Sequence, residues 1–353
     1  MIRSHWSRPA LAVFTMGLGS LIASLSGCEQ VPATGPGSAA STGAAVSGAI
    51  GIDGSSTVFK LSQAMAQEFN LENPGVAMKV DQSGTSGGFK KFVEGKLDIC
   101  DASRPIKQEE IDKCKANGVE YIELPVALDA LTVAVNIDND WCDALTTAEL
   151  KKLWEPAADG KIMNWSQVRE GWPDEKMALF GPGHSSGTFD YFAEVIVDKK
   201  EKKTRADFTA SEDDNAILLG IEGDKNALGY VPFAYFAPRE GKTMKAVKID
   251  SGAGPIAPSV ATVKDASYLP LSRPLFIYVN RKAAERPEVK AFVEYYLQNA
   301  ESMSAAVGYI PLEADVSTKV AERFKNLEIG SNFGGSSSEG KKMIDIISQP
   351  LQP

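Results

Sequence analysis

Histidine is almost missing from this chain. Of its 353 residues only 2 are histidine, His5 and His184, and only His184 lies beyond position 27. Zinc sites need several imidazole, thiolate or carboxylate ligands, so one imidazole nearly removes that chemistry and narrows acid–base catalysis; no metal and no cofactor is expected. Positive charge is short too, with 37 Lys and Arg against 46 Asp and Glu and a net charge of −9. A nucleic-acid binder needs the opposite balance and a basic stripe, so that class is excluded.

Long apolar runs are lacking as well, except at the N-terminus. Arg3 and Arg8 form a positive region, Ala10 to Leu25 is mostly apolar, and Leu25-Ser26-Gly27-Cys28 closes it with small residues. The run is short for a spanning helix and ends like a cleavage site. Residues 1–27 are thus expected to be a lipoprotein signal, with Cys28 lipidated as the first mature residue; an uncleaved membrane anchor is the alternative. Residues 28–47 are nearly all Ala, Gly, Ser, Thr and Pro, a composition that cannot bury enough apolar surface to order itself. As a flexible tether they would reach roughly 25 Å, which puts the folded part outside the cytoplasm, just off a membrane. Loss of Arg3 and Arg8 takes the net charge from −9 to −11.

Cysteine is scarce, with 4 in the chain. Cys100 sits in the apolar run "KLDICDA" and is expected to be a buried thiol. An exported compartment permits disulfides, and Cys114 in a polar helix with Cys142 in a loop is the pairing expected here, although three thiols allow three pairings.

From position 49 short apolar runs alternate with amphipathic helical segments. "AIGID", "VAMKVD", "LDICDA", "YIELPV" and "LTVAVN" read as strands, and Val58, Leu61, Met65 and Phe69 recur at helical spacing. "TTAELKKLWEP" and "SEDDNAILLGIEG" are capped helices of a second set, and "RPLFIYVN" at 273–280 looks like a return crossing. The fold class expected is α/β with largely parallel sheets: two lobes joined by two crossover strands, 48–133 with 275–353 and then 134–274. "GSNFGGSSSEG" at 330–340 reads as a solvated loop.

A local design repeats: strand, small-polar turn, helix. It occurs at "IDGSSTVF", "QSGTSGGF" and "FGPGHSSGTF", beside "CDASRPI", which carries an arginine. A helix start exposes unpaired N–H groups and about half a positive charge. Ser and Thr add hydroxyl donors, and converging turns of this kind make a socket for a tetrahedral oxyanion. Ser or Thr acting only as helix caps is the plain alternative. Arg104 can give a phosphate two parallel hydrogen bonds, or else join a surface or interlobe salt bridge.

"GHSSG" at 183–187 also satisfies G-x-S-x-G, which would make Ser185 a nucleophile. A serine triad needs a base that an orienting group holds, and no histidine follows His184. The hydrolase or phosphatase reading fails there, and His184 is expected to be an exposed turn residue. A carboxylate facing the socket would accept the proton of HPO₄²⁻ and repel sulfate; Asp53 and Asp190 are the candidates.

These motifs, "DGSSTVF", "SGTSGGFKKF", "DASRPI" and "GPGHSSGTFDYF" followed by "SEDDNAI" and "ALGYVPFAYF", resemble the phosphate-binding subunits of Pst-type ABC importers across nearly the whole mature chain. The resemblance implies a two-lobed periplasmic-binding-protein fold, type II-like, that closes on one inorganic phosphate as a monomer and delivers it to ABC permease subunits. It is not an enzyme family. Ser56, Thr57, Val58, Thr85, Ser86, Ser186, Gly187 and Thr188 match or adjoin its phosphate contacts. The enterobacterial form has an arginine four residues before the Ser-Gly-Thr serine and an aspartate ending its "ASD" loop. Here those positions are Pro182 and Arg104, a pattern closer to the cyanobacterial branch. A sulfate or molybdate binder, and a phosphate sensor without a permease, remain the alternatives.

Overall fold

The computed structural model describes residues 46–184, 186–198 and 203–352. The leader, Cys28, almost all of the tether, and Ser185 lie outside the described residues. Residues 45–353 form one compact unit.

The chain enters through β1 (Gly48–Gly54), α1 (Ser56–Glu72), β2 (Val76–Val80), α2 (Thr85–Phe92), β3 (Ile99–Ala102) and α3 (Gln108–Asn117). α1 forms because its apolar residues fall three and four apart: Val58, Leu61, Met65 and Phe69 make one stripe, at most 2% exposed, while the other face is polar. α3 ends where Gly118 takes a left-handed conformation, which glycine adopts without a steric penalty.

β4 (Tyr121–Asn136) then crosses to the second half, buried along all its 16 residues. The sequence suggested two strands here, "YIELPV" and "LTVAVN", separated by residues 127–130. The structure corrects this to one. A register shift against the returning strand lies at Leu275/Phe276, opposite Pro125 and Ala127, so the residue without an N–H sits at a bulge where no ladder bond is lost.

The second half holds β5 (Ala144–Thr146), α4 (Thr147–Trp154), α5 (Trp165–Val168), β6 (Ala178–Pro182), α6 (Gly187–Phe192), β7 (Thr209–Ser211), α7 (Asp214–Gly223), β8 (Ala227–Pro232) and α8 (Phe233–Phe236). Thr146 caps α4 in a capping box with Glu149, and Asp213 caps α7, both at the expected places. Short strands β9 (Met244–Ala246), β10 (Lys248–Asp250) and β11 (Pro255–Ile256) and helix α9 (Val260–Lys264) follow. The chain returns along β12 (Ser272–Asn280) and closes with α10 (Pro287–Ala306), α11 (Ala314–Lys325) and α12 (Met343–Ile347).

One curled sheet runs β2-β1-β3-β12-β4-β8-β6-β7, with β9 also on β4. Its two wings are parallel, as expected, whereas β12 pairs antiparallel with both β3 and β4. The crossing strands β4 and β12 thus form the spine of a two-lobed α/β fold, with a triplet of strands on each side. The expected lobe borders, 133/134 and 274/275, fall inside these two strands.

Two expectations fail. Cys100, Cys114 and Cys142 are all buried and unbridged, so Cys114–Cys142 is not a disulfide. Cys114 lies on α3 among first-lobe groups such as Glu110 and Tyr121, and Cys142 near Arg169 and Lys245 of the second. Both join one continuous hydrophobic core, from opposite halves of the molecule. The loop at 330–340 is also more than solvated surface. Ser331 and Asn332 are buried, and the Ser331 hydroxyl and Asn332 N–H both donate to the buried carboxylate of Glu123, at 2.7 and 3.0 Å.

Candidate functional site: an anion cleft at the crossing strands

The glycines of the repeated turns bring the helix starts together. At Gly88, on α2, an added Cβ would lie 2.6 Å from the Gly54 Cα and 2.9 Å from the Asp53 carbonyl. Only glycine lets α2 pack its backbone on the β1–α1 turn. At Gly187, the first residue of α6, an added Cβ would lie 2.7 Å from Thr57 Oγ1 and 2.8 Å from Thr57 N. The start of the second-lobe helix therefore rests on the start of α1.

The result is a cleft of about 340 Å³. Ser55, Ser56 and Thr57 line it from the β1–α1 turn and the start of α1, Ser83 to Gly87 from the β2–α2 turn and the start of α2, and Ser103, Arg104 and Lys107 from the β3–α3 loop. Gly187, Asp190, Tyr191 and Glu194 face them from the second lobe, and Arg273 from β12. First-turn N–H groups of α1 and α2 have no partner within their own helices, and they point the same local dipole into one space.

Of the residues expected from sequence, Ser56, Thr57, Thr85, Ser86, Arg104, Gly187 and Asp190 line this cleft. Val58 offers only its backbone, since its side chain is fully buried in the core. Ser186 is spent on local structure: its hydroxyl caps α6 by accepting from Thr188 N at 3.1 Å. The Thr188 side chain faces a separate small cavity with Lys60, Asp129 and Tyr309. Asp53 is buried behind the turn, where Lys91 donates to its carboxylate. Burial pushes that carboxyl up, but Lys91, Ser83 and the Gly54 N–H together outweigh burial and hold it below the usual range, so it is a fixed anion away from the cleft. His184 is exposed, edge-on to Phe189.

Arg104 is held for presentation. Its guanidinium makes two parallel bonds to Glu110, at 2.8 and 2.9 Å, reaches Ser86 at 3.2 Å and lies over the Phe89 ring. Glu110 also accepts from Lys107 N at 2.9 Å, capping α3. The salt bridge weighed as the alternative does exist, but within the first lobe, and it leaves Arg104 on the cleft wall. Thr85 is fixed likewise, its Oγ1 accepting from Ser103 N at 3.2 Å.

Among the described residues no group of three or more His, Cys, Asp or Glu is placed to hold a metal, and no helix is long and apolar enough to cross a membrane.

A protein-family model for the PBP superfamily domain matches residues 39–300. The chain belongs to the PBP superfamily. Within it, Protein SphX of Synechocystis sp. is 46% identical over 302 residues, which are 85% of this chain and 89% of that one. The phosphate-binding protein PstS of Staphylococcus haemolyticus is 35% identical over 260 residues, 73% of this chain and 79% of its own. The crystal structure of a possible phosphate binding protein from Planctomyces limnophilus superposes with a TM-score of 0.77 at 45% identity, covering 80% of this chain and 99% of that one. The resemblance read from the four loops holds, and the cyanobacterial branch suggested by Arg104 is matched by SphX.

Sequence reasoning missed Arg273, Tyr191, Ser103, Lys107 and Glu194. Arg273 and Asp129 did carry a signal. Asp129 is one of two charged residues of β4, with Glu123, and Arg273 is the charged residue of β12; such a residue in a buried apolar strand needs a partner.

Proposed function

We propose that this member of the PBP superfamily captures inorganic phosphate between its two lobes and hands it to an ABC permease, without catalysing a reaction. The observation that carries this reading is the convergence of two helix starts without side-chain caps, the start of α6 and Arg104 on one small cleft. Hydrogen bonds to a charged group contribute roughly 1.5–3 kcal/mol each. A few suffice for the roughly −8 kcal/mol of micromolar binding, even against the net negative charge.

Ser56, Thr57, Val58, Thr85, Ser86, Arg104 and Gly187 would touch the anion, with Val58 giving only its N–H. Ser186 and Thr188 support the α6 start instead. Asp190 and Glu194 on the cleft wall supply carboxylates that can accept the proton of HPO₄²⁻ and repel sulfate. Asp53, engaged by Lys91, is the weaker candidate for that part.

Residues 1–27 would be removed, Cys28 lipidated and 28–47 left as the tether, which places a monomer outside the cytoplasm at a bacterial membrane. Calorimetry with phosphate, sulfate and molybdate at two pH values tests the binding claim. One phosphate per chain with no sulfate competition supports it, and equal sulfate affinity overturns it. Turnover of p-nitrophenyl phosphate would contradict the non-catalytic reading.

A further inference from the structure

Arg273 belongs to no loop of the anion cradle, yet it lines the cleft. It stands on crossing strand β12 directly opposite Asp129 of β4, its register partner. The two side chains are paired at 3.3 Å and nearly buried, 10% and 4% exposed. The Arg273 guanidinium carbon lies 3.6 Å from the centre of the Tyr191 ring on α6. Its Nη2 also donates to Thr57 Oγ1 at 2.8 Å. One guanidinium thus touches the spine, the first-lobe helix α1 and the second-lobe helix α6.

The Thr57 contact has a directional consequence. A threonine hydroxyl has one hydrogen to donate and lone pairs to accept with, whereas arginine only donates. Arg273 therefore occupies the lone-pair side of Oγ1 and leaves the hydrogen to point elsewhere. In a helix interior that hydrogen would bond back to the carbonyl four residues earlier. Thr57 is the second residue of α1, so no helical carbonyl stands there. Thr57 lines both the cleft and the small cavity beside Thr188, so the hydrogen is available to an anion in the cleft.

We propose that Arg273 is a positioning residue of the anion site: held by Asp129 and stacked on Tyr191, it fixes the Thr57 hydroxyl as a donor toward the bound anion. This rests on the phosphate reading above. A hydroxyl already turned outward spares the anion the reorientation of a donor on binding. The Tyr191 stack makes the arrangement complete only when α6 lies against α1, so the donor is presented in the closed form.

The test is a double-mutant cycle on the mature chain, read by calorimetry with inorganic phosphate. Arg273→Lys keeps the charge but not the planar fork. It is expected to weaken phosphate binding about tenfold in the native background and less than about twofold in a Thr57→Val background, because the hydroxyl it serves is gone. The full effect should return with Thr57→Ser. Asp129→Asn, which loosens Arg273 without removing it, should show the same dependence on the Thr57 hydroxyl and serves if Arg273→Lys folds poorly. Equal weakening in the native and Thr57→Val backgrounds would overturn the proposal, leaving Arg273 a charge or a hinge strut, and so would no weakening at all. A native chain that binds no phosphate would fail the functional reading itself, visible before any variant is made, and this proposal would fall with it.

Discussion

Gly187 and Thr57 touch across the two lobes so closely that a methyl group on Gly187 would lie 2.7 Å from the Thr57 hydroxyl oxygen. The clash is with backbone as well as side chain, since Thr57 N would be 2.8 Å away. Gly187→Ala places a good helix former at the start of α6. It is expected to fold normally but to hold the lobes apart, weakening phosphate binding about tenfold or more in calorimetry. An unchanged dissociation constant would mean that this contact plays no part in closure.

Arg104→Ala removes the guanidinium from the cleft wall and leaves Glu110, 7% exposed, without its bidentate partner. Loss of charge-assisted bonds of this kind is expected to weaken phosphate binding by about tenfold to a hundredfold. Glu110 still caps α3 through Lys107 N, so the fold should survive with a lowered melting temperature. Arg104→Lys, which cannot make two parallel bonds, should fall between the two. Calorimetry with thermal unfolding separates the effects, and retained affinity in Arg104→Ala would displace the site.

Beneath the cradle, burial pushes the Asp101 carboxyl up to about 8 from 3.8, despite the hydrogen bond it accepts from Ser62 at 2.9 Å. Between about pH 4 and 8 the unfolded chain has lost this proton and the folded chain keeps it. Its contribution therefore favours folding most below pH 4 and declines as pH rises, by at most about 1.4 kcal/mol per pH unit, levelling off above 8. Asp101→Asn cannot ionise, so its stability relative to the native chain should rise between pH 5 and pH 9. Urea unfolding of both proteins checks this, and parallel pH profiles would contradict it.

The three buried cysteines make a simple chemical prediction. Burial pushes the Cys114 and Cys142 thiols up to about 12, and the thiolate is the reactive form. A soluble chain beginning after Cys28 should therefore react slowly with a thiol reagent when native and give three thiols on unfolding. Reductant should not change its melting temperature. One thiol on unfolding, with two more released by reductant, would restore the disulfide.

Much of this was legible before any coordinates. The α1 stripe, the capped starts of α4 and α7, and the three small-polar turns are local patterns, and local patterns survive into the fold. Arg104 was legible because a strand end beside a helix start has one geometry. What depended on distant pairing was not. The continuity of β4 through Pro125 rests on a bulge opposite β12, and the separation of Cys114 from Cys142 on which half of the molecule each enters. Arg273 is the clearest case. Its position is set by register with Asp129, 144 residues away in sequence, and by α6 folding over it. The burial of Ser331 and Asn332 likewise follows from Glu123, a partner no local window contains.

A crystal structure grown with phosphate tests the capture mechanism most directly. One phosphate is expected in the cleft, touching the α1 and α2 starts, Arg104 and the Gly187 N–H, with the Thr57 hydroxyl donating to it. An empty cleft, or an anion bound only elsewhere on the surface, would contradict it.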